Sequence, residues 1–135
     1  MFDRNEALDR YRHWYNRTIA AGGDSFEKFD YHLRNQLGAL SLAGKRVLEV
    51  GCGKGAVSLY LALFSGASEV VAVDEAAGKG SPVGVTEAVK EAVRAFGVSN
   101  LCVLDIDIMQ NHFEDCHFDT LVQISFFGSN ILARV

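Results

Sequence analysis

The stretch Glu49-Val50-Gly51-Cys52-Gly53-Lys54-Gly55 constrains this chain more than any other part of it. A short apolar run (Val47, Leu48, Val50) leads into it, and Ala56 to Phe64 behind it reads only as a helix. A strand that ends in closely spaced glycines and turns at once into a helix brings backbone N–H groups and a helix N-terminus up to a ligand, with no side chains in the way. Glu49 narrows the reading. A carboxylate at that strand end repels a pyrophosphate and suits a ligand that carries an ammonium group.

The flanking pattern predicts what surrounds this turn. Leu8, Tyr11, Tyr15 and Ile19 recur at helical spacing over residues 4–20, and Gly22-Gly23 stops that helix. Asp24-Ser25-Phe26-Glu27 starts a second one, with Glu27 placed to reach back as in a capping box, and Phe26, Phe29, Leu33, Leu37 and Leu40 form its stripe. Tyr11, Trp14, Tyr15 and Tyr31 are read as core aromatics of these helices. Ala43-Gly44-Lys45 then turns into the first strand. After the glycine turn, Val57, Leu59, Leu61, Leu63 and Phe64 make a helix that is apolar nearly all round, as for one covered on both sides.

Val70-Val71-Ala72-Val73 predicts a second strand ending at Asp74-Glu75, followed by a loop with the single proline, Pro82. Val85, Val89, Ala92 and Phe96 mark a helix, residues 101–104 a third strand and residues 119–125 a fourth. Strands alternating with helices imply an α/β fold with a mostly parallel sheet and ligands at the carboxyl ends of the strands.

Composition removes several classes of function. With 135 residues, 49% of them hydrophobic, the chain has enough apolar material for a core. A formal charge of −4 argues against a nucleic-acid or anionic-membrane binder, because phosphate affinity needs a basic face. No apolar run approaches the ~20 residues of a membrane span. Met1-Phe2-Asp3-Arg4-Asn5-Glu6 is charged and unlike a signal peptide, so a cytoplasmic location is expected. Cys52, Cys102 and Cys116 show no paired spacing and are expected as reduced thiols. No histidine has a metal-ligand partner at the usual spacing, and no metal is expected.

Two other glycine motifs compete for the turn. Gly51-Cys52-Gly53-Lys54-Gly55-Ala56 satisfies G-x-G-x-x-A, a variant of the NAD fingerprint, but Glu49 would face the pyrophosphate. A Walker-type phosphate loop fails, because no Gly-Lys-Ser/Thr follows at the required spacing. Asp74 lies nineteen residues after Gly55, at the end of the next strand, where a carboxylate can accept both hydroxyls of a ribose.

An acid followed by G-x-G-x-G resembles the first motif of the class I S-adenosylmethionine-dependent methyltransferases, and the resemblance covers about residues 44–126. It implies a three-layer Rossmann-like fold, with the strands of this chain in the order 3-2-1-4 of the family's 3-2-1-4-5-7-6. It also implies S-adenosylmethionine as cofactor. Glu49 would lie near the methionine ammonium, Gly51, Cys52, Gly53 and Gly55 along the methionine and ribose, and Asp74 on the ribose hydroxyls. Glu75 stands where the family often has an apolar residue, which leaves open which of the two acids faces the ribose; Asp74 is favoured. Asp107, rather than Asp105, matches the acid that hydrogen-bonds the adenine amino group, and Ile108 would cover the ring.

His117-Phe118-Asp119-Thr120-Leu121-Val122 resembles the family's F-D-x-V element, with Asp119 in a structural role and Gln123 reaching the ligand side. Gln123-Ile124-Ser125-Phe126 replaces the Asn/Asp-Pro-Pro-Tyr/Phe signature of nucleic-acid N-methylation, so a small-molecule acceptor is expected. Residues 1–43 would form a helical cap and residues 44–135 an incomplete core, with Tyr15 or Tyr31 bordering the pocket. The fourth strand would stand with a bare edge, covered by a second copy in a homodimer or by a missing C-terminal half. No residue is assigned as a general base. The alternatives are a non-catalytic cofactor-binding or regulatory module and an NAD-dependent oxidoreductase.

Overall fold

The computed structural model describes residues 2–19, 25–37, 41–74, 85–106, 113, 117–124 and 131–134. They fall into two compact units, Met1–Ser41 and Leu42–Val135. The first unit is a pair of helices, α1 (Arg4–Thr18) and α2 (Phe26–Leu37). α1 starts at Asp3, whose Oδ1 accepts the N–H groups of Asn5 and Glu6 at 3.0 and 3.2 Å, two donors that have no partner inside the helix. Its buried residues are Ala7, Tyr11, Trp14 and Tyr15. Leu8 and Ile19 of the expected stripe are only half-buried.

Aromatic rings set that rotation. Tyr11 has its ring centroid 5.4 Å from Trp14 and 5.6 Å from Phe26, and Tyr15 stacks on Phe29 at 4.7 Å. Such pairs add about 0.5–1.5 kcal/mol each beyond area burial, enough to outweigh a leucine left at the margin. Tyr31 departs from the core reading, with 60% of its surface exposed. The carboxylate of Glu27, expected to reach back over the start of α2, lies instead 3.2 Å from Arg12 Nε of α1. Ser25 Oγ accepts the Lys28 N–H, and Asn16 Oδ1 accepts the Phe26 N–H at 3.2 Å, so α1 itself ties down the start of α2.

The second unit is built on β1 (Arg46–Val50), α3 (Ala56–Phe64), β2 (Glu69–Asp74), α4 (Val85–Phe96), β3 (Leu101–Asp105), β4 (Thr120–Ile124) and β5 (Ile131–Arg134). Its strands make one sheet in the order β3-β2-β1-β4-β5. The first four are parallel, and Glu49 stands beside Ala72 on one side and Val122 on the other. Alternation along β1 and β2 puts Val47, Val70 and Ala72 on one face, all of them buried. Leu48, Val71 and Val73 occupy the other, with Leu104, Phe113, Phe118 and Leu121 against them. Strands buried on both faces explain the nearly unbroken Val/Leu runs that stand here instead of a polar alternation.

The order 3-2-1-4 is as expected, but the bare edge is not. β5 runs antiparallel along β4, from Leu121 beside Arg134 to Ile124 beside Ile131. The N–H and C=O groups of β4 expected to stand bare pair with β5 instead.

At the amino ends of the strands Asp119 has the structural role expected of it. Its Oδ2 accepts the Arg46 N–H at 2.9 Å and lies 3.4 Å from Arg46 Nε, while its own N–H donates to the Arg46 carbonyl. The backbone N–H first, and the guanidinium second, hold this carboxyl below the usual carboxylate range. Locking β4 to β1 at this end fixes the register that brings Val50 level with Gln123 at the other. No helix among the described residues is long and apolar enough to cross a membrane.

Candidate functional site

The turn after β1 depends on its glycines. Gly51, Gly53 and Gly55 have φ of +74°, +54° and +88°, a left-handed region that costs other residues about 1–2 kcal/mol each. The turn is stapled to the end of β2. The N–H groups of Gly51 and Cys52 both donate to the Val73 carbonyl, at 2.9 and 3.1 Å, and that of Gly53 donates to Asp74 Oδ2 at 2.9 Å. The Gly55 N–H donates to the Cys52 carbonyl. These four donors were expected to face a ligand; they are satisfied within the protein.

What the glycines provide instead is shape, and two of them provide it differently. A Cβ at Gly51 would meet nothing within 4 Å. A Cβ at Gly55 would come 2.7 Å from Val89 Cγ1 on α4, closer than side chains approach. Gly51 therefore leaves open space above the turn, whereas Gly55 lets α4 close on it.

Glu49 is the unusual group. It is 2% exposed, and its Oε1 has no hydrogen-bond partner among the described residues. The backbone N–H of Ser58, in the first turn of α3, bonds the carboxyl, and its hydroxyl is shared between that carboxyl and the Gly55 carbonyl, 3.3 Å away. Burial pushes its pKa up to about 8, the two Ser58 bonds pull it down, and the negative charge of Asp74 pushes it up again. The helix N-terminus, expected to face a ligand, gives its Ser58 N–H to the protein's own carboxyl. Burial, reinforced by the charges of Glu49 and Asp74, also pushes the Cys52 thiol up, so that it keeps its proton.

Glu49, the glycine turn and Asp74 come together, with Asp74 on the sheet face of Glu49 two residues beyond its neighbour Ala72. Gln123 does not join them. It pairs in register with Val50, one residue out of step with Glu49, and so lies on the opposite face of the sheet, exposed. Asp105 is level with Asp74 on the next strand and is exposed. Glu75, Asp107 and Ile108 lie outside the described residues. Ser58 was missed in the sequence, although a single serine in the apolar helix AVSLYLALF was a signal for a buried partner.

A buried oxygen without a donor is the feature that tests which ligand fits. It leaves about 1–3 kcal/mol unsatisfied until an N–H reaches it, and a cationic N–H serves best. The Gly51, Cys52, Gly53 and Gly55 donors of the turn are already taken, and the Glu49 carboxyl stands at the end of the same strand, so a phosphate group fits poorly.

No family model matches the chain, and neither does any curated protein sequence. Solved structures do match. Phosphoethanolamine N-methyltransferase 1 of Haemonchus contortus, in complex with phosphoethanolamine and S-adenosylhomocysteine, superposes with a TM-score of 0.60 at 15% identity, over 89% of this chain and 25% of its own. An S-adenosylmethionine-dependent methyltransferase from Clostridium acetobutylicum gives 0.54 at 19% identity, over 87% and 43%. Coclaurine N-methyltransferase bound to N-methylheliamine and S-adenosylhomocysteine gives 0.58 at 23% identity, over 77% and 29%. The chain spans between a quarter and a half of the length of these proteins. With its sheet order, its glycine turn after β1 and these superpositions, the chain has the Rossmann-like fold of the class I S-adenosylmethionine-dependent methyltransferases.

Proposed function

We propose that this chain binds S-adenosylmethionine and serves methyl transfer to a small molecule. The observation that carries the reading is the buried Oε1 of Glu49, unpartnered among the described residues, two residues before the turn position where a Cβ at Gly51 would meet open space. That oxygen calls for a cationic donor, and the methionine end of this cofactor carries an ammonium group. Asp74, at the end of the neighbouring strand and already holding the Gly53 N–H, is the acceptor for ribose hydroxyls. When bound, the cofactor supplies an electrophilic methyl carbon on a sulfonium. The chain's own part is to hold the ammonium and the ribose so that an acceptor can approach in line.

The NAD reading loses support from the same geometry. The carboxyl at the end of β1, and the internal use of the Gly51, Cys52 and Gly53 donors, disfavour a pyrophosphate at the turn. Calorimetry with S-adenosylhomocysteine and with NAD is the direct comparison, and only the first should give saturable heat. Asp74→Ala should weaken S-adenosylhomocysteine by about 10- to 150-fold, the loss of one hydrogen bond to a charged group. Asp74→Asn, which keeps an acceptor for Gly53, reports how much of that loss comes from the turn rather than the ribose. Undiminished affinity in Asp74→Ala counts against the assignment.

A further inference from the structure

We propose that filling the site is coupled to a proton: the ligand's ammonium group binds once Glu49 has given up its proton to solvent, so that one proton leaves for each ligand bound. The proposal rests on the S-adenosylmethionine reading and adds a regulation of that same site. In the step itself the Glu49 carboxyl O–H bond breaks, the proton passes to the buffer, and the resulting carboxylate accepts an N–H of the ammonium group. No electron pair changes atoms.

The surroundings of Glu49 support this from every side. On β2 its neighbour is Ala72, and beyond it stands the Asp74 carboxylate, which opposes a second negative charge. On β4 its neighbour is Val122, fully buried and apolar. The turn contributes the Cys52 thiol, which keeps its proton throughout the neutral range. From α3 come the Ser58 hydroxyl and N–H, which favour the charge. A carboxyl with one oxygen lacking a donor, an acid nearby and water excluded is held in its neutral form. With its pKa at about 8, only about a tenth of it is ionised at pH 7. An arriving ammonium reverses the balance by supplying both the charge and the missing donor.

The test is titration calorimetry of the full chain with S-adenosylhomocysteine at pH 7 in two buffers of different ionisation enthalpy. About 0.9 proton per ligand should be released, and affinity should fall about tenfold from pH 7 to pH 6. Glu49→Gln should bind more weakly and exchange no proton. 5′-Methylthioadenosine, which has the nucleoside but no ammonium, should bind without proton release. Binding of S-adenosylhomocysteine with no proton exchange, or equal release with 5′-methylthioadenosine, overturns the coupling and leaves the cofactor reading standing. No binding at any pH from 6 to 9 overturns the cofactor reading and the coupling together.

Discussion

Glu49→Gln should unfold at a higher temperature than the parent at pH 8 and at a slightly lower one at pH 4, where only the cost of its partnerless NH2 remains. The carboxyl has a folded pKa of about 8 against an ordinary 4.5, so the folded chain holds its proton more tightly than the unfolded one. Its contribution to stability is complete below pH 4.5 and is lost as pH rises through 8. The full shift amounts to about 5 kcal/mol. An amide at this place escapes that loss, although its NH2 inherits the partnerless position of Oε1 and returns about 1–2 kcal/mol. A net gain of about 3 kcal/mol, or roughly 10 °C in midpoint, is expected at pH 8. Melting curves from pH 4 to 9 check it, and a difference between the two chains that does not grow with pH rules it out.

The same substitution should cost affinity for S-adenosylhomocysteine, about 10- to 150-fold at pH 8. Stability and binding then move in opposite directions on changing one oxygen to nitrogen. A residue kept for packing has no reason to behave in this way. A group held ready for a cation does, because the free protein bears the strain that the ligand relieves.

The acid–glycine–acid pattern was legible in the sequence because each of its parts is local. A strand end, a left-handed turn and a helix start are set by neighbouring residues, and only glycine fits the backbone at positions 51, 53 and 55. What the donors of the turn do was not legible. The partner of Gly53 is Asp74, twenty-one residues further on, and a strand has to be folded beside the turn before that bond exists. Gln123 shows the other limit. Strand parity alone decides which face it takes, and the Val50–Gln123 register, one step after Glu49–Val122, turns it away from the site. β5 escaped notice because Ile131-Leu132-Ala133-Arg134 is too short to carry a period and is a strand only by virtue of pairing with β4.

Gly51→Ala and Gly55→Ala should separate the two uses of the turn. Both residues have positive φ, so each substitution carries the left-handed strain of about 1–2 kcal/mol. At Gly51 nothing else is touched, since the added Cβ has no neighbour within 4 Å. That chain should fold, lose no more than this strain in stability, and bind S-adenosylhomocysteine at least about tenfold more weakly because the methyl group stands in the ligand's space. At Gly55 the Cβ meets Val89, whose Cγ1 and Cγ2 would lie 2.7 and 3.0 Å away. A valine on a helix has one strongly preferred rotamer and cannot turn aside, so α4 must shift. Overpacking adds about 1–3 kcal/mol, for a total of about 2–5 kcal/mol. Val89→Ala in the Gly55→Ala background removes the clash and should recover about 1–2 kcal/mol of it, a non-additivity that strain in the turn alone cannot produce. Denaturant melts of the four chains, the parent, the two single variants at 55 and 89 and the pair, measure that coupling. Strict additivity would mean that α4 does not rest on the turn as the contact requires.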